Sequence, residues 1–180
     1  MIIVTGADNT GKTTLVEHLI VKFPQLQLLN EYHTKPPKDK DDWIEWLLPP
    51  LTRKPFGDFN LAEGEYPQYL ADRFYLDEFV YGPICRGSTI IDEKEKRILD
   101  HLLLMKDPLI IHTGLFLEKM SSTFGDREQY PNLKQNIKIM DAFTKLFEEP
   151  PYSMLKRYVF DFTYDKSYEA IDKFLEGRHV

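Results

Sequence analysis

The chain has 180 residues, of which 42% are hydrophobic and 29% are charged, and its formal net charge is −6. This composition is ordinary for a globular protein of one domain, so we expect a single domain over residues 1–180. The negative charge argues against nucleic acid as a partner, and no apolar run approaches the ~20 residues that span a membrane. The single cysteine, Cys85, excludes an internal disulfide framework. The sequence begins without the pattern of a secretion signal, so the expected compartment is the cytoplasm.

Short apolar runs alternate with helical patterns along the chain. Runs of β-branched and apolar residues predict strands, and apolar residues three and four positions apart predict helices. Their alternation predicts an α/β fold, in which helices cover both faces of a parallel sheet. The predicted strands are 1–5, 26–29, 69–72, 109–112 and 158–162, the predicted helices are 12–23, 38–48, 92–105, 135–147 and 167–175, and residues 51–64 and 121–132 are predicted loops.

The first informative motif is GADNTGKT, residues 6–13, which fits the pattern GxxxxGK[ST] without mismatch. An apolar strand precedes it and a helix follows. Glycines let such a loop curl until successive backbone N–H groups point at phosphate oxygens, and the start of the helix adds attraction. Lys12 can then reach the terminal phosphates, and the Thr13 hydroxyl can ligate Mg²⁺. The motif predicts an ATP site formed by Gly6, Asn9, Thr10, Gly11, Lys12, Thr13 and Thr14.

Several classes of protein use a phosphate loop, and the rest of the chain separates them. A GTPase would need a guanine-reading NKxD and a separate DxxG, and neither is present. An ATPase motor or transporter subunit usually has more chain and a hydrophobic run that ends in an acidic pair. A small-molecule kinase needs only the loop, an acceptor pocket and a lid. The sequence therefore favours a small kinase.

The second informative stretch is ADRFYLDEFVYGPICRG, residues 71–87. Asp72 and Arg73 lie at the end of a predicted strand, which would place a carboxylate near the metal and a guanidinium near a phosphate. We therefore expect Lys12, Asp72 and Arg73 to be catalytic residues. Arg73 should also bind the substrate, and Asp72 should be a ligand of Mg²⁺ together with Thr13. Arg86, later in the same stretch, is a candidate ligand for the acceptor phosphate.

At these motifs the chain resembles the thymidylate kinase family of nucleoside monophosphate kinases. The loop GADNTGKTTL, the stretch DRFYLDEFVYG and the segment YVFDFTYDKSYEAIDKFL are similar to three parts of that family. The resemblance implies a P-loop fold with strand order 2-3-1-4-5, a short helix bearing Tyr81 beside the acceptor, and a homodimer. It also implies that Asp8 accepts a hydrogen bond from the 3′-hydroxyl of the acceptor sugar. Small kinases of this kind are also encoded by viruses of bacteria, which the short chain suits.

The sequence departs from that family in three places. The acidic-proline stretch that usually follows the second strand is here NEYHTKPP, so Glu31 takes that place and is a candidate substrate-binding residue. The Phe/Arg helix that clasps thymine in the family has no clean match before Asp72, and the nearest candidates are Arg53, Phe56 and Phe59. Some thymidylate kinases carry an arginine in the phosphate loop directly after the acid, whereas this chain has Asn9. Family members that lack the loop arginine place one in a lid. We therefore predict a lid at about 119–132 whose Arg127 is catalytic.

Three functions fit these residues. The favoured reaction transfers phosphate from ATP to a deoxynucleoside monophosphate, with dTMP as the favoured acceptor and Mg²⁺ as the cofactor. A deoxynucleoside kinase is the first alternative; its neutral hydroxyl acceptor would benefit from a general base, for which Glu31 is the candidate. The second alternative is a regulator that binds ATP without transferring phosphate.

Overall fold

Five parallel strands form the sheet of this protein. The structure is a computed structural model that describes residues 1–29, 68–114, 132–161 and 167–178. The strands are β1 (Ile2–Gly6), β2 (Leu26–Leu29), β3 (Gln68–Asp72), β4 (Leu109–Gly114) and β5 (Lys156–Asp161). Their order is β2-β3-β1-β4-β5, which confirms the predicted parallel sheet and its strand order.

Strand β1 lies at the centre of this sheet. Ile2 pairs with Leu70 of β3 on one side and with Leu109 of β4 on the other. All five residues of β1 are buried, which explains why the strand reads as a continuous apolar run rather than an alternating one. The loop that leaves the carboxyl end of β1 therefore opens between two neighbouring strands, where ligands bind in sheets of this type.

The helices cover both faces of the sheet. They are α1 (Lys12–Lys22), α2 (Tyr75–Tyr81), α3 (Glu93–Leu104), α4 (Leu133–Glu148) and α5 (Glu169–Glu176), with a π-helical turn at Gly82–Arg86 and a 3₁₀ turn at Tyr152–Met154. Apolar residues of α1 and α5 pack on one face, and those of α2, α3 and α4 pack on the other. Within the described ranges, none of the helices is both long and apolar enough to cross a membrane.

The predicted boundaries differ from the observed ones for local reasons. Asp92 and Asn132 are N-caps of α3 and α4, because their side chains accept hydrogen bonds from the first helical N–H groups. Strand β5 starts at Lys156, because its register follows β4 from Leu109 onward. The π-helical turn after α2 was not predicted. The predicted helix 38–48, the predicted loop 51–64 and nearly all of the predicted lid at 119–132 lie outside the described residues.

Candidate functional site: a phosphate loop facing an arginine

The phosphate loop, residues 6–13, connects β1 to α1. Three of its residues have positive φ: Gly6 at 148°, Asn9 at 61° and Gly11 at 81°. Gly11 directly precedes the first residue of α1, so the curled backbone leads into the positive end of that helix. A Cβ atom at Gly6 would lie 2.3 Å from the carbonyl oxygen of Thr113, which shows how tightly the loop abuts β4. This backbone is suited to hold phosphate oxygens.

Threonine hydroxyl groups anchor the floor of the loop. Thr10 donates a hydrogen bond to the Ala7 carbonyl at 2.7 Å, and its Oγ1 lies 2.6 Å from Oγ1 of Thr113. Thr113 in turn contacts the carbonyl of Thr5 at 3.3 Å. The Thr10 hydroxyl is therefore engaged within the loop. If Thr10 contributes to ATP binding, we expect the contact to come from its backbone N–H. Asn9, Thr13 and Thr14 are exposed beside it.

Lys12 is the buried cation of the loop. Its side chain is 6% exposed, Nζ donates to the Ala7 carbonyl, and Nζ lies 3.8 Å from Oδ1 of Asp8. Burial, assisted by the nearby Arg73, lowers the pKa of Lys12 to about 8. The ammonium group is thus an under-compensated positive charge, which a phosphate would stabilise.

Arg73 faces the loop from the end of β3. It has a φ of 68°, and its backbone N–H bonds the Val4 carbonyl of β1 at 2.8 Å. Its guanidinium forms an ion pair with Asp8 and lies 4.6 Å from the ring centroid of Tyr81. The Tyr81 hydroxyl contacts the Gly6 carbonyl at 3.2 Å and Oδ1 of Asp8 at 3.1 Å. The structure therefore brings together four predicted site residues from the two separate stretches 6–13 and 71–87.

Two further polar residues at the site were missed by sequence reasoning. Asp77 of α2 lies 3.6 Å from Nη1 of Arg73, and burial raises the pKa of its carboxyl to about 6. Asn136 of α4 is fully buried and accepts a hydrogen bond from the backbone N–H of Asp8 at 3.1 Å. Asp77 could have been noticed from its helical spacing of four residues from Arg73, and Asn136 as a polar residue among apolar ones. We call Asp8, Lys12, Arg73, Asp77 and Tyr81 the charged cluster.

The predicted metal ligands are both oxygen donors near the loop. Asp72 is buried at the carboxyl end of β3, where it pairs with Val4 of β1, and Thr13 is exposed in the first turn of α1. A carboxylate and a hydroxyl beside a phosphate site are the donors that Mg²⁺ takes, so this pair fits that ion. Within the part of the chain that the structure describes, no group of three or more His, Cys, Asp or Glu side chains could hold a metal.

The three remaining predicted residues either make other contacts or lie outside the described residues. Arg86 is 45% exposed and forms its ion pair with Glu78, which also accepts a hydrogen bond from the backbone N–H of Ile90 at 2.8 Å. Glu31 and Arg127 lie outside the described residues. The expected roles of these three residues therefore stay predictions.

Comparison with known proteins identifies the fold. No protein-family model matches the sequence, and no curated protein is significantly similar to it. Among solved structures, YorR from Bacillus subtilis in complex with phosphorylated GDP superposes with a TM-score of 0.70 at 15% identity, over 99% of this chain and 96% of that one. Deoxyadenosine kinase from M. mycoides with bound dATP gives a TM-score of 0.54 at 15% identity, over 97% and 98% of the two chains.

A second structure of that deoxyadenosine kinase, with the products dCMP and a flexible dCDP, gives a TM-score of 0.51 at 11% identity, over 98% of this chain and 96% of that one. The chain has a P-loop fold with this strand order, which it shares with these structures. At identities this low the likeness establishes the fold alone. What the site binds must be argued from its own residues.

Proposed function

We propose that this protein is a P-loop kinase that transfers the terminal phosphoryl group of ATP to a deoxynucleoside monophosphate, with dTMP as the favoured acceptor. The observation that carries the proposal is the position of Arg73, whose guanidinium faces the phosphate loop across Asp8. The phosphate loop offers an anion site made of backbone N–H groups and Lys12, and the guanidinium of Arg73 adds a second positive charge beside it. That arrangement suits two phosphate groups that must approach each other.

Most residues of the site have a direct task in the proposed reaction. Lys12 and the backbone of the phosphate loop bind the phosphates of ATP, and Arg73 binds the acceptor phosphate and cancels its repulsion from the donor. Asp8 and Tyr81 lie beside Arg73 and are available to orient the acceptor sugar. Thr13 and Asp72 would hold Mg²⁺, which when bound neutralises charge on the donor phosphates. An acceptor that is already an anion needs no strong general base.

The preference for dTMP rests on the resemblance of residues 6–15 and 71–81 to thymidylate kinases. The deoxynucleoside kinase alternative is favoured by a different observation, the fold shared with deoxyadenosine kinase. That reaction would need a base near the acceptor hydroxyl, for which Glu31 is the candidate. The two functions differ in whether the acceptor brings a phosphate, which Arg73 would contact.

The proposal extends to the setting of the enzyme. We expect it in the cytoplasm, which would be the host's if the chain is encoded by a virus, and we expect a homodimer. Residues 98–103 are a candidate surface for the dimer contact, because their apolar residues share a helical face. In the structure Leu99 and Leu103 are buried in the core, whereas Ile98 is 51% exposed. A dimer contact on α3 would therefore use Ile98 rather than the whole stretch.

The decisive assay measures ADP formed from Mg·ATP with each of the four common deoxynucleoside monophosphates, dTMP among them, and with the corresponding nucleosides. The proposal predicts ADP release that depends on a monophosphate and that disappears in Lys12→Ala. Lys22→Ala is the matched control, because Lys22 lies at the other end of α1, is 43% exposed, and should leave the rate unchanged. Faster turnover of a nucleoside than of any monophosphate would favour the alternative kinase. ATP binding without acceptor-dependent ADP release would favour a regulator.

A further inference from the structure

Asp77 is a buried carboxylate whose two oxygens have different surroundings. Oδ2 accepts hydrogen bonds from the Thr5 hydroxyl at 2.9 Å and from the backbone N–H of Phe74 at 3.0 Å. These contacts tie the start of α2 to strand β1. Oδ1 makes no hydrogen bond with any described residue, and its nearest cation is Arg73.

The contact between Asp77 and Arg73 is electrostatic rather than a hydrogen bond. At 3.6 Å, Nη1 of Arg73 lies beyond hydrogen-bond distance from Oδ1, yet well within the range of strong attraction in a buried site. Asp77 therefore attracts the guanidinium without engaging its N–H donors. Nη2, on the other side of the guanidinium, is engaged by Asp8.

The backbone conformation of Arg73 is unfavourable. A φ of 68° lies in the left-handed region, which is disfavoured for residues other than glycine. Nothing about a left-handed backbone by itself determines where a flexible arginine side chain points. Two fixed carboxylates, Asp8 and Asp77, together with the Tyr81 ring, restrict the guanidinium to one place.

We propose that Asp77 is a positioning residue that orients Arg73 toward the acceptor phosphate, because Thr5 and the Phe74 N–H fix its carboxylate in place. This inference rests on the proposed function, since Arg73 has an acceptor phosphate to meet only in a kinase. Asp77 acts through Arg73 and does not touch the substrate itself. Burial raises the pKa of the Asp77 carboxyl only to about 6, so the group is charged at neutral pH and can act in this way.

Asp77→Asn separates the structural from the positioning role. The amide oxygen of asparagine can still accept from Thr5 and Phe74, so the start of α2 is preserved. The other oxygen becomes an NH₂ group, which repels the guanidinium instead of attracting it. Asp92→Asn is the matched control, because it makes the same chemical change at the N-cap of α3.

The first measurement is urea unfolding at neutral pH for the wild type, Asp77→Asn, Arg73→Ala and the double variant. We expect Asp77→Asn to lower the unfolding midpoint of the wild type. In the Arg73→Ala background it should raise the midpoint, because it removes a buried carboxylate that has lost its guanidinium. A shift of equal size and sign in both backgrounds would overturn the inference.

The second measurement is the rate of ADP formation from Mg·ATP and dTMP, or the best acceptor of the panel. Asp77→Asn should lower kcat/KM for the acceptor about tenfold in the wild type but less than about twofold in Arg73→Ala, and Asp92→Asn should leave it unchanged. Equal losses in both backgrounds would show that Asp77 does not act through Arg73. If Asp77→Asn does not fold, Thr5→Val replaces it, because this change removes one of the two hydrogen bonds to Oδ2. Its effect on kcat/KM is then compared between the wild type and Arg73→Ala in the same way.

The two measurements distinguish failure of the inference from failure of the proposed function. A reversal of the stability shift without phosphoryl transfer to any acceptor would support the attraction between Asp77 and Arg73 and would overturn the kinase assignment. Phosphoryl transfer with no difference between the two backgrounds would support the kinase and overturn the role of Asp77.

Discussion

Replacing Lys12 by methionine should stabilise the folded protein while it abolishes phosphoryl transfer. Lys12 is buried, and its pKa falls from 10.5 to about 8 on folding. That fall corresponds to about 3 kcal/mol of unfavourable free energy for the charged form. Methionine has a similar length and no charge, and the Ala7 carbonyl would keep its hydrogen bond from Thr10. We expect the free energy of unfolding at pH 7 to rise by about 1–3 kcal/mol.

The pH dependence gives this prediction its sign. Because the pKa of Lys12 is lower in the folded than in the unfolded state, the unfolded state binds more protons between about pH 8 and pH 10.5. The free energy of unfolding of the wild type therefore rises as the pH rises through that window. Below about pH 8 the buried ammonium group is charged, and the wild type is destabilised by the full free energy of burying that charge. The advantage of Lys12→Met should be largest near pH 7 and should shrink toward pH 10.

Urea unfolding of the wild type and Lys12→Met at about pH 7, 8.5 and 10 measures this effect. Lys22→Met is the control; Lys22 is 43% exposed, so its variant should stay within about 0.5 kcal/mol of the wild type throughout. A methionine variant that is less stable at pH 7, or a difference that does not change with pH, would refute the account of Lys12 as an under-compensated buried cation.

Three other substitutions test the site. Gly6→Ala should lower the free energy of unfolding by about 3 kcal/mol or more, because its Cβ would lie 2.3 Å from the Thr113 carbonyl; unchanged thermal unfolding would contradict the packing described here. Asp8→Ala should weaken deoxynucleotide binding by about 1.5–3 kcal/mol in calorimetry, and a 3′-deoxy acceptor should lose a similar amount with the wild type but little more with the variant. Purely additive losses would mean that Asp8 does not contact the sugar. Arg127→Ala should cut turnover by roughly 10²-fold with much less effect on ATP affinity, and a rate within a few-fold of the wild type would assign the role to another group.

The sheet could be predicted from the sequence because its signals are local. The apolar run at residues 1–5, the glycines of the phosphate loop and the alternation of strands and helices each depend on neighbouring residues. The central position of β1 followed from the need of a phosphate loop to leave the sheet between two strands, and the structure confirms it.

The long-range contacts could not be predicted in the same way. Asn136 is 128 positions from Asp8, and Asp77 is 72 positions from Thr5, so only the folded chain brings these partners together. The ion pair of Arg86 with Glu78 likewise depends on the unpredicted π-helical turn that follows α2. The sequence thus indicated several residues that the folded chain brings close together, but not how they restrain one another.

The central claim is that this site moves a phosphoryl group onto a nucleotide. The most direct test incubates the protein with Mg·ATP labelled with ³²P at the γ position, together with deoxynucleoside monophosphates in one set of reactions and the corresponding nucleosides in another, and follows the label by chromatography. The account predicts that the label appears in a deoxynucleoside diphosphate, that dTMP is the best acceptor, and that Lys12→Ala abolishes the transfer. Label found only in inorganic phosphate, or only in a monophosphate made from an added nucleoside, would contradict it.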